Sequence, residues 1–312
     1  MKTDPRAQHN QDLYRRWRDA RSGWDEEARK DIDFYLGNHF TSNESDELQA
    51  RNQADVPMDR ISPAVEKLKA TLTSRPPTFT ITPREDSDVK ISNVWRTILG
   101  YVWDISVGDA HLKQAIHDYA ISGLGYLYVY VDTEADFGRG DVKFTNVNPF
   151  RVYVPPSSRD RWFGDAESIL LSTILTGEQV IALYPELNID EDPETGESIT
   201  PLIETISSYR EEDYPSAQNK NSMQVHTPAE TAYLDQYEYV FNDVDIERYM
   251  EENAEIIENG VVQIIEVPQN RVKVCATLGE IVLYESVLNT DIYPIIPLPN
   301  IWTESPYPKS DV

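Results

Sequence analysis

The sequence predicts an α+β protein: an N-terminal helical layer, then mixed or antiparallel sheet, then a small C-terminal β meander or barrel. Two observations carry this. Through the first 120 residues apolar side chains recur at spacings of three and four, the period of a helix face. From Tyr126 onward the period drops to two, the signature of strands. The two patterns occupy separate halves rather than alternating, which excludes a chain of βαβ units. Residues 1–120 therefore read as a mainly helical part, and 121–312 as a β-rich part with an acidic surface insertion around 188–228.

The elements follow in order. Leu13, Trp17, Ala20, Trp24, Ala28, Ile32 and Tyr35 form one stripe over residues 8–36, with Gly37 as a stop. Residues 40–59 read as a polar connection. Ser62 is placed to cap the next helix, with Pro63 at its first position and Arg75-Pro76-Pro77 ending it. "TFTITP" (78–83) alternates as a short strand. Val94, Ile98, Val102 and Ile105 predict an amphipathic helix over 87–106, broken at Gly108. Leu112, Ala115, Ile116 and Tyr119 predict a further helix over 109–122.

Strands are predicted over 126–132, 141–147, 150–156, 167–176 and 231–241. Thr176 and Gln179 form a capping box for a short helix over 177–185. A short helix is also predicted near Leu202–Ser208, and another over 243–260, ending at Gly260. Residues 261–269, 270–279 and 280–288 read as three closely spaced strands. In "YLYVYVD" Tyr126, Tyr128 and Tyr130 share one face and Leu127, Val129 and Val131 the other; the aliphatic face is expected to be core.

The search for chemistry starts at Gly123-Leu124-Gly125. A phosphate-binding glycine loop follows a strand and opens a helix, whose N-terminus donates N–H groups to the phosphate. Here a helix precedes the glycines and a strand follows, so carbonyls rather than N–H groups face the turn. The glycines read as a C-cap and a sharp helix-to-strand turn. The carboxylates of Asp190–Glu197 resemble a calcium loop, but counting from Asp190 the glycine falls seventh instead of sixth, and the twelfth position is Pro201. That spacing favours a solvated turn over a divalent-ion site. His111 and His117 are six apart, off metal-ligand spacing, and read as surface or helix-end residues. Cys275, the only cysteine, sits in a strand pattern and reads as a small core residue; no intrachain disulfide can form. No nucleophile elbow is present. No catalytic, cofactor-binding or metal-binding residue is assigned and no cofactor is expected.

Charge narrows the function further. The chain carries a net charge of −26, and its basic residues lie mainly in the first ninety positions. A surface of that sign suits solubility and opposes tight binding to phosphate backbones. No run of eighteen apolar residues is present, so no membrane-spanning helix is expected, and the polar start lacks a secretory h-region.

Several stretches together resemble the portal proteins of tailed double-stranded DNA bacteriophages. They are "RNQADVPMDRISPAVEKLKATLTSRPP", "HDYAISGLGYLYVYVD", "FTNVNPFRVYVPPSSRDRWFGDA", and "RVKVCATLGEIVLYES" followed by "YPIIPLPNIWTESPYPKSDV". They run in family order from about residue 51 to residue 312, and the last contains Trp-x-x-x-Pro-Tyr-Pro-x-Ser-Asp. The resemblance implies a structural, non-enzymatic subunit of a ring, usually of twelve copies, at one capsid vertex. That ring is the channel for DNA packaging and ejection. Its implied partners are copies of itself, the major capsid protein, scaffolding protein, the terminase motor and neck or tail adaptors, with double-stranded DNA passing through unspecifically. The implied location is the virion, and the host cytoplasm during assembly. The match covers the outer wing of such subunits; the stem, clip and crown are not recognisable in this sequence. Two readings from other classes stand beside it. One is a metal-dependent hydrolase or nuclease, which needs carboxylates converging in a pocket. The other is an acidic adaptor or DNA mimic that binds a basic partner.

Overall fold

A computed structural model describes residues 5–54, 56, 58–83, 88–176, 230–241, 270–278, 281–288 and 290–312. The predicted elements at 177–185, 202–208, 243–260 and 261–269, and the acidic stretch Asp190–Glu197, lie outside the described residues. The described elements are mixed helix and antiparallel sheet, as the α+β reading requires, and the sheets are small and open with no closed barrel. The chain divides into two compact units, each assembled from three stretches. Helix α1 (Pro5–Tyr35) contributes its residues through Asp19 to the first unit and the remainder to the second.

The first unit is built on a five-stranded antiparallel sheet in the order β3-β4-β5-β6-β7. Its strands are β3 (Val152–Tyr153), β4 (Ser168–Thr176), β5 (Glu230–Phe241), β6 (Asn270–Leu278) and β7 (Ile281–Val287). Each strand pairs with its sequence neighbour, so the sheet is a meander, with a bulge between Ala276 and Thr277. The start of α1 seals it: Tyr14 and Trp17 pack with Tyr153 and Leu170, and the Tyr14 and Tyr153 rings meet edge to face at 4.8 Å. Arg6 and Lys273 both pair with Glu285. Cys275 is buried in β6, as its strand pattern predicts.

The second unit contains the rest of α1, then α2 (Ser42–Ala50), α3 (Ile61–Leu72), α4 (Val89–Ile105) and α5 (Gly108–Ser122). Beside them stands a three-stranded sheet in the order β2-β1-β8, made of β1 (Leu124–Asp132), β2 (Asp141–Val147) and β8 (Ile295–Pro299). Val65, Ala120 and Ile121 form its helical core, with Ile32, Tyr35, Ile61 and Leu68 packed around them.

Several expectations need correction. The stripe of α1 is displaced from the one predicted. Ala20 is exposed, while Asn10, Arg21 and Asp25 are buried on the same face as Tyr14, Trp17 and Ala28. Counting apolar residues misses a helix face that contains polar groups. Gly37 does end α1, at φ +83°: its N–H donates to Phe34 O and that of Asn38 to Asp33 O, a Schellman closure. The polar connection at 40–59 contains α2, opened by a capping box. There Thr41 N–H donates to the Glu44 carboxylate, and Glu44 N–H to Thr41 Oγ1. Ser62 does not cap α3. Asp59 Oδ1 accepts from Ile61 N and Ser62 N, and the Ser62 hydroxyl donates to Tyr35 O, which leaves Pro63 third in the helix.

The segment at 78–83 pairs with no strand among the described residues; alternation supplies the pleat but not the ladder partner. The apolar face of α4 stays open along its first part, with Val94 57% and Ile98 41% exposed, while Val102 and Ile105 are half-buried. β8 was not predicted, because Pro297 and Pro299 disguise it. It holds an edge position, where a missing N–H can face outward, with Tyr126 opposite Pro297. The aliphatic face of β1 is not its better-buried side. Burial falls along the strand instead, from Leu124 and Tyr126, both essentially inaccessible, to Val131 at 61% exposure.

Candidate functional site: a structural joint around the helix–strand junction

The second unit gathers the sequence-distant motifs into one joint. At its centre α5 turns into β1 through Gly123, at φ +79°, the left-handed C-cap that the sequence called for. A side chain there would also lie 2.5 Å from the Lys309 carbonyl carbon. Gly125, two residues on, faces back at α5; a Cβ on it would stand 2.1 Å from the Ala115 carbonyl oxygen. The pair of glycines thus serves close backbone approach on two sides, not phosphate.

The C-terminal tail closes over this turn. Asn300 N–H donates to Gly123 O at 2.9 Å, and Ile301 and Lys309 bridge antiparallel, folding the Trp-x-x-x-Pro-Tyr-Pro segment into a loop. From that loop Pro308 O accepts the Trp24 indole N–H at 3.1 Å, and the Ser310 hydroxyl donates to Asp31 Oδ2 at 2.6 Å. The Trp24 ring lies against Phe150 at 5.4 Å and Tyr307 at 5.5 Å.

Arg21 locks the arrangement. Its side chain is 2% exposed, and its Nε lies 3.1 Å from Asp25 Oδ1, one helical turn on. Nη2 donates to Phe150 O at 2.8 Å and Nη1 to Pro149 O at 3.4 Å, in the short 3-10 turn Pro149–Arg151. The guanidinium also lies within 6 Å of the Trp24 and Tyr307 ring centres. Sequence reasoning missed Arg21. The available signal was an i, i+4 Arg–Asp pair bracketing Trp24 on an otherwise apolar face.

Close to Arg21 and Tyr307, Tyr126 is wholly buried against Phe163, whose own backbone sits at φ +60°. Burial pushes the Tyr126 phenol well above its ordinary pKa. Its hydroxyl has no hydrogen-bond partner among the described residues.

The histidines are more enclosed than predicted. His111 Nδ1 lies 2.8 Å from Asn146 Oδ1, and His117 packs edge to face on Tyr35 at 5.2 Å. Burial, then Lys69, lower the His117 pKa, with Glu66 opposing. Both residues tie α5 to its neighbours. Asp118, also on α5, has its carboxyl pushed up to about 7 by burial, against the pull of the Gln114 amide at 3.2 Å. The folded chain therefore holds a proton there between the ordinary carboxylate range and about pH 7. Stability on this account is lost as pH rises through that window and stays lost above it. Asp118→Asn is expected to stabilise the chain more at pH 8 than at pH 5. Urea unfolding at the two pH values measures the difference; equal gains at both would refute the assignment.

Backbone carbonyls, stacked rings and a satisfied ion pair are the chemistry of a structural joint. Among the described residues no three His, Cys, Asp or Glu side chains converge as metal ligands, and no helix is long and apolar enough to cross a membrane. No curated protein matches the sequence. The phage P22-like portal protein family matches residues 11–305. That span takes in α1 from residue 11, the glycine turn, the Asn-Pro-Phe turn and the start of the closing tail, while the tail contacts at Tyr307, Pro308, Lys309 and Ser310 lie just beyond it. This is a family of structural virion proteins, not enzymes, whose members form oligomeric rings and engage capsid and packaging components. The chain belongs to the phage P22-like portal protein family.

Proposed function

We propose that this chain is a subunit of a ring of about twelve copies at one capsid vertex, the channel through which DNA is packaged and ejected. The supporting observation is the family match across residues 11–305. In this reading the helical part at 1–120 and the β-rich part at 121–312 supply the wing. The ring docks the terminase motor and neck or tail adaptors, and meets the major capsid and scaffolding proteins. It forms in the host cytoplasm and ends in the virion. Family membership favours this reading over a metal-dependent hydrolase or nuclease and over an acidic adaptor.

The charge fits a conduit. At −26 per subunit, a ring presents a strong negative field that keeps DNA from sticking to the wall. The same field pushes subunits apart, and salt screens that repulsion over roughly 8–10 Å at physiological strength. Ring assembly is therefore expected to strengthen as salt rises from about 0.05 to 0.5 M, a range over which screening shortens severalfold. Negative-stain images and light scattering would follow it. Closed rings with a central hole, growing with salt, support the reading; a chain that stays monomeric at all salts, or rings favoured by low salt, would count against it.

A further inference from the structure

Helix α4 leaves much of its apolar surface uncovered in the second unit. Its C-terminal half is anchored: Trp103 packs on Phe144 at 5.1 Å and on Phe79 at 5.7 Å, and the Ser106 hydroxyl accepts Phe144 N–H. Its other side is bare. Ile91, Val94, Ile98 and Tyr101 follow one another at spacings of three and four, so they share one helix face, and they are 57%, 57%, 41% and 53% exposed. Trp95, beside that stripe, is 54% exposed. The patch continues past the helix end. Tyr101 Oη donates to Asp141 Oδ2 at 2.8 Å, and the adjacent Val142 and its cross-strand partner Val131 are 43% and 61% exposed. A contiguous apolar surface of this extent marks an interaction site.

We infer that this face of α4 is one of the two lateral contact surfaces of the subunit and seats on a second copy of the chain. The inference rests on the ring reading and goes beyond it by assigning the surface. Two arguments choose the occupant. The first is charge. The chain has 54 acidic against 28 basic residues, yet α4 carries Lys90 and Arg96 against Asp104 alone. An apolar stripe with cationic flanks fits the acidic surface of another copy, whereas two cations around a tryptophan are too few to hold a DNA backbone. The second is size. Seventeen helical residues span about 25 Å, and the exposed apolar stripe runs most of that length and onto the hairpin beyond, more than scattered surface residues would give. A closed ring needs two different complementary faces on each subunit, and this is a ready candidate for one.

Ile98→Glu tests it in the full chain. The position is exposed, so circular dichroism and the melting temperature of the dissociated subunit should not change, while the ring fraction in native mass spectrometry should fall at least tenfold. A second variant keeps the test independent of folding. Cys275 is buried, so Trp95→Cys can be labelled selectively with a maleimide benzophenone. Irradiation of mixed light and heavy isotope-labelled chains should give light–heavy crosslinks. Undiminished rings in Ile98→Glu would overturn the assignment and leave the ring reading intact. So would crosslinks confined to one chain, placing its own residues on α4, or crosslinks to added duplex DNA. A native chain that forms no rings overturns both.

Discussion

Gly125→Ala is expected to be among the most damaging single-methyl changes in this chain. The added carbon would sit 2.1 Å from the Ala115 carbonyl oxygen, well inside any tolerated contact. The obstacle is backbone on both sides, so no rotamer change relieves it. β1 is held on both edges, by β2 and β8, and Ala115 is completely buried in α5. Relief requires α5 to move off the sheet, taking with it the helical core formed by Ala120 and Ile121. Overpacking of a tight core costs about 1–3 kcal/mol, and a clash between two fixed backbones falls at or above the top of that range. Against a total stability of about 5–15 kcal/mol, the second unit would be left marginal. A fall in melting temperature of about 10 °C is expected for about 3 kcal/mol in a domain of this size, with loss of soluble yield. Gly100→Ala provides the internal control. Gly100 lies inside α4 with nothing within 4 Å, so a methyl there should raise stability by about 0.5–1 kcal/mol through helix propensity. Equal behaviour of the two variants would show that the close approach of α5 and β1 is not a constraint.

The contrast between these glycines shows what the sequence could and could not reveal. Element order excluded a nucleotide loop at 123–125 and identified a helix-to-strand turn, because the direction of a helix dipole is legible from order alone. Why the second glycine is needed was not legible, since Ala115 approaches only after α5 folds back along β1. Periodicity found α1, α4, α5 and most strands, and the Pro63 start and Arg75-Pro76-Pro77 stop found α3. It failed where local rules are overridden by partners. The strand pattern at 78–83 has no ladder, and the apolar face of α4 has no cover within the described residues. Proline concealed β8, because an edge position excuses what a central strand forbids. α2 was missed although Thr41-Ser42-Asn43-Glu44 spells a capping box; the polarity of the stretch drew the reading to a loop. Of the joint, the glycine C-cap and the closing Trp-x-x-x-Pro-Tyr-Pro segment were visible as separate motifs. That they meet, and meet on Arg21, depends on contacts spanning more than 120 residues, which no local pattern encodes.

Arg21→Met should produce the second large effect, of the opposite chemical kind. The substitution leaves a buried carboxylate, Asp25, beside a thioether, and removes the donors that reach the Pro149 and Phe150 carbonyls. Breaking a buried ion pair from one side typically costs about 3–5 kcal/mol, because the surviving charge stays desolvated. Asp25→Leu should also destabilise, by stranding the guanidinium, though less, since Arg21 keeps both carbonyls and its two aromatic faces. The informative variant is the double one. With both charges gone, the Met and Leu side chains can pack on Trp24 and Tyr307, and part of the remaining deficit is the two carbonyls that have lost donors. The double variant should therefore be more stable than Arg21→Met alone, with a coupling of about 1–3 kcal/mol between the sites. Urea unfolding of the four proteins yields that coupling directly. Strict additivity would mean that Arg21 acts through Phe150 and the aromatic rings rather than through Asp25. In that case the joint is held by the guanidinium's grip on the Asn-Pro-Phe turn, and Arg21→Lys, which keeps the charge but loses the planar fork, should be nearly as damaging as Arg21→Met.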